Sequence, residues 1–189
     1  MTGLLAAYQV AIGINGLGEI PIISYTIAFG VLLVAALLLI ILGMEVLESP
    51  LVVIVSTIIP LSLSLGLVWQ HLPSWRSAYL GFSILGFLSI LLTRLQPIKG
   101  RLPTILLAIV HGVAGMVIFL LPSVLASLGV TRPGFALVGL GGALIGLGGL
   151  LLSFLKAGKP ILPKETLLHI LPSLLFLMTL AFVAGFRLA

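Results

Sequence analysis

Six stretches of this chain, at 20–43, 51–69, 76–94, 102–121, 134–155 and 166–187, carry no charged side chain in their interiors. Each is close to the 20 or so apolar residues a helix needs to cross a hydrocarbon core of about 30 Å. In lipid the backbone must satisfy its own polar groups, and a helix does so within one segment. The expected fold class is therefore all-α, a polytopic integral membrane protein built as a six-span transmembrane helical bundle. Composition agrees. The chain is 61% hydrophobic and 7% charged, against about 25% charged for a soluble domain, and its mean hydropathy is +1.41.

Breaks between the spans carry turn residues: Glu48-Ser49-Pro50, His71-Leu72-Pro73-Ser74, Gln96-Pro97, Arg132-Pro133-Gly134, and the prolines at 160 and 163. The loops are short, so consecutive spans should be antiparallel neighbours in one domain covering 20–189. Residues 1–19 are expected to form an interfacial or re-entrant segment. They lack the basic stretch of a secretory signal, and Gly13, Gly16 and Gly18 should interrupt any long helix there. The run Gly13-Ile14-Asn15-Gly16-Leu17-Gly18 is not read as a dinucleotide fingerprint, because no α/β unit surrounds it.

Lys and Arg accumulate on the cytoplasmic side of membrane proteins. Arg94, Lys99 and Arg101 follow span three and Lys156, Lys159 and Lys164 follow span five, whereas Arg76, Arg132 and Arg187 lie at the other end. This places both termini outside. The expected location is a bacterial or archaeal plasma membrane, or a thylakoid-type membrane. The net charge of +5 then belongs to topology and lipid headgroups rather than to nucleic acid.

Elimination narrows the chemistry. Cysteine is absent, which excludes disulfides, thiolate metal sites and thiol nucleophiles. Aspartate is absent too, removing enzymes that grip a metal–diphosphate through paired aspartates. The only acids are Glu19, Glu45, Glu48 and Glu165, none inside a span, so a pump built on buried carboxylate relays is not expected. Glu45 and Glu48 might meet His169 at the cytoplasmic face as oxygen and nitrogen ligands, but they read better as solvated carboxylates. No catalytic residues are assigned, and the chain is not expected to be an enzyme.

Two patterns remain. Gly139, Gly142, Gly146 and Gly149 line one face of span five, with Gly141 and Gly148 on an adjoining face; span four repeats the device with Ala108, Gly112 and Gly115. Small residues let helix backbones approach closely in lipid, so spans four and five should pack together and offer small-residue faces to other membrane subunits. Next to them, His111 is the one ionisable group near the middle of a span. A neutral imidazole there suits contact with a chlorophyll-type pigment, a haem or a quinone, with Gly112 and Gly115 leaving room for a flat ring. Bis-histidine haem is disfavoured, because His111 and His169 differ in depth by roughly 9 Å at 1.5 Å per residue.

The second pattern is polar. Ser56, Thr57, Pro60 and Ser64 share one face of span two, and His169, Pro172, Ser173 and Thr179 echo it in span six. Two proline-kinked helices can frame a cavity near the midplane. The favoured expectation is a non-catalytic integral subunit of a larger membrane complex, most plausibly in respiratory or photosynthetic electron transport. The alternative is a small-solute permease or substrate-binding transporter subunit with its cavity between spans two and six.

Overall fold

A computed structural model describes residues 1–14, 16–43, 49–96, 100–156 and 161–189. Seven helices follow one another: α1 (Thr2–Ile12), α2 (Glu19–Leu42), α3 (Pro50–His71), α4 (Arg76–Leu95), α5 (Leu102–Ser127), α6 (Ala136–Lys156) and α7 (Lys164–Arg187). Single 3₁₀ turns, each opened by a proline, lead into α4 at Pro73–Trp75 and into α6 at Pro133–Phe135. No strand occurs among the described residues. Five helical segments are long and apolar enough to cross a membrane: Glu19–Leu42, Val52–His71, Pro73–Leu95, Leu102–Ser127 and Lys164–Arg187. α6 has 21 residues, and with the 3₁₀ turn before it forms a continuous apolar stretch over Pro133–Gly149 among the described residues. The result is an all-helical bundle suited to a lipid bilayer.

Helix ends fall where the backbone chemistry puts them. Gly13, Gly16, Gly43, Gly100 and Gly129 all have positive φ, the left-handed region that costs other residues a clash with their own Cβ. The Gly13 N–H donates to the Gln9 carbonyl and closes α1. Prolines inside spans do not end them. Pro60, Pro122 and Pro172 sit within α3, α5 and α7, and α5 continues to Ser127, past the expected boundary at 121. A lost backbone N–H kinks a helix, but flanking packing can hold it together.

Six helices close into a ring in the order α1, α2, α3, α5, α6, α7 and back to α1, while α4 lies outside against α3 and α5. Every ring helix sends side chains to the centre: Ala6 from α1, Tyr25 and Phe29 from α2, Leu63 and Leu67 from α3, Ile118 from α5, Val138 from α6, and Met178, Phe182 and Phe186 from α7. A smaller cluster of Leu61, Ile90, Val110 and Ala114 fastens α4. α1 runs antiparallel to α2: Gly3 lies over Leu33 and Ala36, while Gln9 and Gly13 border a slot with Ile22, Tyr25 and Phe29. Its 11 residues make roughly 16 Å of helix, about half of a hydrocarbon core.

Candidate functional site

α6 is docked through two glycine faces. Toward α5, a Cβ at Gly142 would meet Ile118 Cγ2 at 2.8 Å and the Phe119 backbone nitrogen at 2.9 Å. Gly139 lies equally close to the Ser123 hydroxyl and the Phe119 carbonyl. These approaches require the missing side chain, so α5 and α6 touch backbone to backbone, as expected of spans four and five. Toward α7, a Cβ at Gly141 would lie 2.6 Å from the Phe182 ring and one at Gly148 2.6 Å from Leu174 Cδ2, while Gly185 returns the contact onto Val138. The sequence marked Gly141 and Gly148 as an adjoining face but gave no sign that α7 fills it.

Beyond that crossing the glycines change role. A Cβ at Gly112, Gly115 or Gly146 would meet nothing within 4 Å among the described residues. Ala108 and Gly112 are exposed, and Gly115 is half-buried. The contact thus occupies Phe119–Ser123 and Gly139–Gly142, whereas Ala108 and Gly112 of α5 and Gly146 of α6 lie on outward surfaces. His111 sits half-buried beside Gly112. Its Nδ1 is shielded and looks back toward the Leu107 carbonyl without closing a hydrogen bond of good geometry.

The structure divides the two polar faces. In α3, Thr57 and Ser64 are fully buried, Pro60 is buried and Ser56 is half-buried. In α7 only Thr179 is buried; His169, Pro172 and Ser173 are exposed on the outside of the ring. Each hydroxyl is committed to its own helix. Ser56 and Thr57 donate to the Val53 carbonyl at 3.1 and 2.7 Å, Ser64 to Pro60 at 2.6 Å, and Thr179 to Leu175 at 2.7 Å. His169 Nδ1 pairs with the Glu165 carbonyl at 2.8 Å. Such back-bonding satisfies a polar side chain without any partner across the bundle. The centre near these groups holds Leu63, Leu67, Met178 and Phe182, each no more than 2% exposed. No group of three or more potential metal ligands occurs among the described residues; Glu45 and Glu48 lie outside them.

The ring's more elaborate polar construction is at the end where α3 stops and α2 and α4 begin. Both tryptophans of the chain, Trp69 and Trp75, are here. The Tyr25 hydroxyl donates to Gln70 Oε1 at 3.1 Å, and its ring leans on Phe186 with centroids 4.6 Å apart. Arg76 Nε donates to the Trp69 carbonyl at 2.6 Å, satisfying one of the carbonyls that a helix C-terminus leaves open. Its guanidinium lies 5.7 Å from the centroid of the Trp69 ring, within cation–π range. Arg187 caps the Tyr8 ring in the same way at 5.3 Å. An open cavity of about 410 Å³ is bordered by Gly16, Leu17, Gly18, Pro21, Trp69, Gln70 and Arg76. None of these was singled out as a binding residue from sequence. The available signal was the run Trp69-Gln70-His71-Leu72-Pro73-Ser74-Trp75-Arg76, which gathers both tryptophans and a cation at one helix end. Neither a family model, nor a curated protein, nor a solved structure matches the chain.

Proposed function

We propose that this chain is a non-catalytic integral membrane subunit that packs against partner helices through the small-residue faces of α5 and α6. The observation that carries this reading is the unoccupied half of the glycine pattern. Gly112, Gly115 and Gly146 make no close approach among the described residues, although the same helices use Gly139 and Gly142 for backbone contact. Glycine inside a helix costs about 1 kcal/mol relative to alanine, so its retention on an outward face fits a neighbour that needs the space. A partner helix or the flat ring of a chlorophyll-type pigment, haem or quinone meets that need, and His111 is the polar group positioned to contact the ring. Membership of a respiratory or photosynthetic electron-transport complex is the finer form of the proposal.

In this reading α6 is the sixth span, α1 is a re-entrant half-helix, and the tryptophan-bearing end faces outward by the distribution of Lys and Arg. The permease alternative draws less support, because the hydroxyls of Thr57, Ser64 and Thr179 are bonded within their own helices and large apolar side chains fill the centre.

The test is native mass spectrometry of the chain gently extracted from its own membranes, alongside the Gly112→Leu and Gly146→Leu variants. A hetero-complex that the variants lose while keeping wild-type helicity supports the proposal. A wild-type chain that emerges alone, or variants that retain every partner, would overturn it.

A further inference from the structure

We propose that the cavity between the 16–18 turn, the end of α3 and the start of α4 binds a phosphate ester anion at the membrane surface, held by Arg76 and Gln70. The chemistry follows from which atoms are already used. Arg76 spends only Nε on the Trp69 carbonyl, and this bond holds its guanidinium over the Trp69 ring, 5.7 Å from the centroid. Its two terminal nitrogens have no hydrogen-bond partner among the described residues. Two such nitrogens on a rigid fork match two oxygens of a phosphate.

Gln70 is oriented just as definitely. Tyr25 donates to its Oε1, which leaves the amide Nε2, a donor, as the group Gln70 contributes to the cavity. Tyr25 is itself clamped by Phe186. Among the described residues, the groups turned to an occupant with unused N–H are the Arg76 guanidinium and the Gln70 amide, a donor-rich pattern that favours an anion. Of the acids, Glu19 is exposed on the first turn of α2 and does not border the cavity. The other walls, Leu17, Pro21 and Trp69, are apolar.

Depth favours the same class of ligand. Tryptophan and tyrosine collect at the level of lipid headgroups, and Trp69, Trp75 and Tyr8 with Arg187 are all at this end. A cavity of about 410 Å³ lies within the range of small-molecule sites, about 300–1,000 Å³. The phosphate can belong to a lipid headgroup or to a free ester in the adjoining water.

The experiment uses the full chain in neutral detergent on a Trp75→Phe background, which leaves Trp69 as the sole tryptophan reporter. Its fluorescence is titrated with dihexanoylphosphatidylglycerol, with inorganic phosphate, and with dihexanoylglycerol, which lacks the phosphate. A saturable change with the phosphatidylglycerol alone assigns the site to a lipid headgroup; a comparable change with inorganic phosphate assigns it to free phosphate esters. In either case Arg76→Gln should weaken binding by about tenfold or more, the usual scale for a charged hydrogen bond. If Arg76→Gln loses its helical circular dichroism, Gln70→Glu, which brings a carboxylate to the same cavity, takes its place with the same expectation. No saturation with either phosphate compound, an equal response to dihexanoylglycerol, or unchanged affinity in the folded variant would overturn the proposal.

Discussion

Alanine at Gly142 and alanine at Gly146 should act in opposite directions, though the two positions are one helical turn apart. At Gly142 the new methyl would lie 2.8 Å from Ile118 Cγ2 and 2.9 Å from the Phe119 nitrogen. Carbon atoms are comfortable at about 3.5–4.0 Å, so α5 and α6 must separate by roughly 0.5–1 Å, since a backbone nitrogen cannot rotate away. A gap of that size forfeits a quarter to a half of each contact well of about 0.1–0.2 kcal/mol. Spread over some 20–40 atom pairs along a helix seam, that amounts to about 2 kcal/mol at mid-range, in line with about 1–3 kcal/mol for overpacked cores. Alanine's better helix propensity returns about 1 kcal/mol. Gly142→Ala should therefore destabilise by about 1 kcal/mol, while Gly146→Ala, which meets nothing within 4 Å, should stabilise by about 0.5–1 kcal/mol. Equilibrium unfolding with increasing SDS in mixed micelles, followed by far-UV circular dichroism, separates the two. Equal shifts, or the reverse order, would refute the argument that this seam is closed at Gly142 and open at Gly146.

Gly66→Ala should cost more, about 2–3 kcal/mol in the same titration, because its methyl would lie 2.5 Å from Tyr25 Cε1 and Phe186 blocks that ring's retreat. Tyr25→Phe removes one hydrogen bond and should cost about 1 kcal/mol, with a shift in Trp69 emission on the Trp75→Phe background as Gln70 is released. Ser64→Ala should lose no more than about 1 kcal/mol, since its hydroxyl donates within its own helix; a loss of several kcal/mol would mean that its contact with the neighbouring Tyr79 of α4 holds the two helices together.

The sequence made the helices legible because hydrophobic length and Pro/Gly punctuation are local signals. Span boundaries at 76–94 and 166–187 lie within two residues of α4 and α7, and the interruption at Gly13 and Gly16 appears as positive φ. Span four, expected over 102–121, runs six residues further as α5. Pairing was harder to read. That α5 and α6 meet through glycines was foreseeable from spacing, but how far the contact extends was not, because Gly139 and Gly146 look alike in sequence. A 3.6-residue period fixes which residues share a face and says nothing about where two helices diverge. His169 and Ser173 share the pattern of Thr57 and Ser64 yet face outward, for the same reason. The polar end was least visible: Tyr25 and Gln70 lie on different helices, and only the fold makes the hydrogen bond that orients the amide.

The ring also has a consequence for the order of events at the ribosome. Its last contact joins α1 to α7, the first helix to the final one, with Arg187 over Tyr8 as its outermost point. Domains tend to organise from the N-terminus as they are synthesised, and α1 can dock on α2 at once. Its other flank has no partner until more than 160 residues have been made. Throughout that interval α3 covers one side of Tyr25, but the Tyr25 and Phe29 rings, which end up 2% exposed, lack Phe186 against them. Ring closure is therefore a late event that α7 alone can complete, and a chain arrested before α7 has an open seam through its centre.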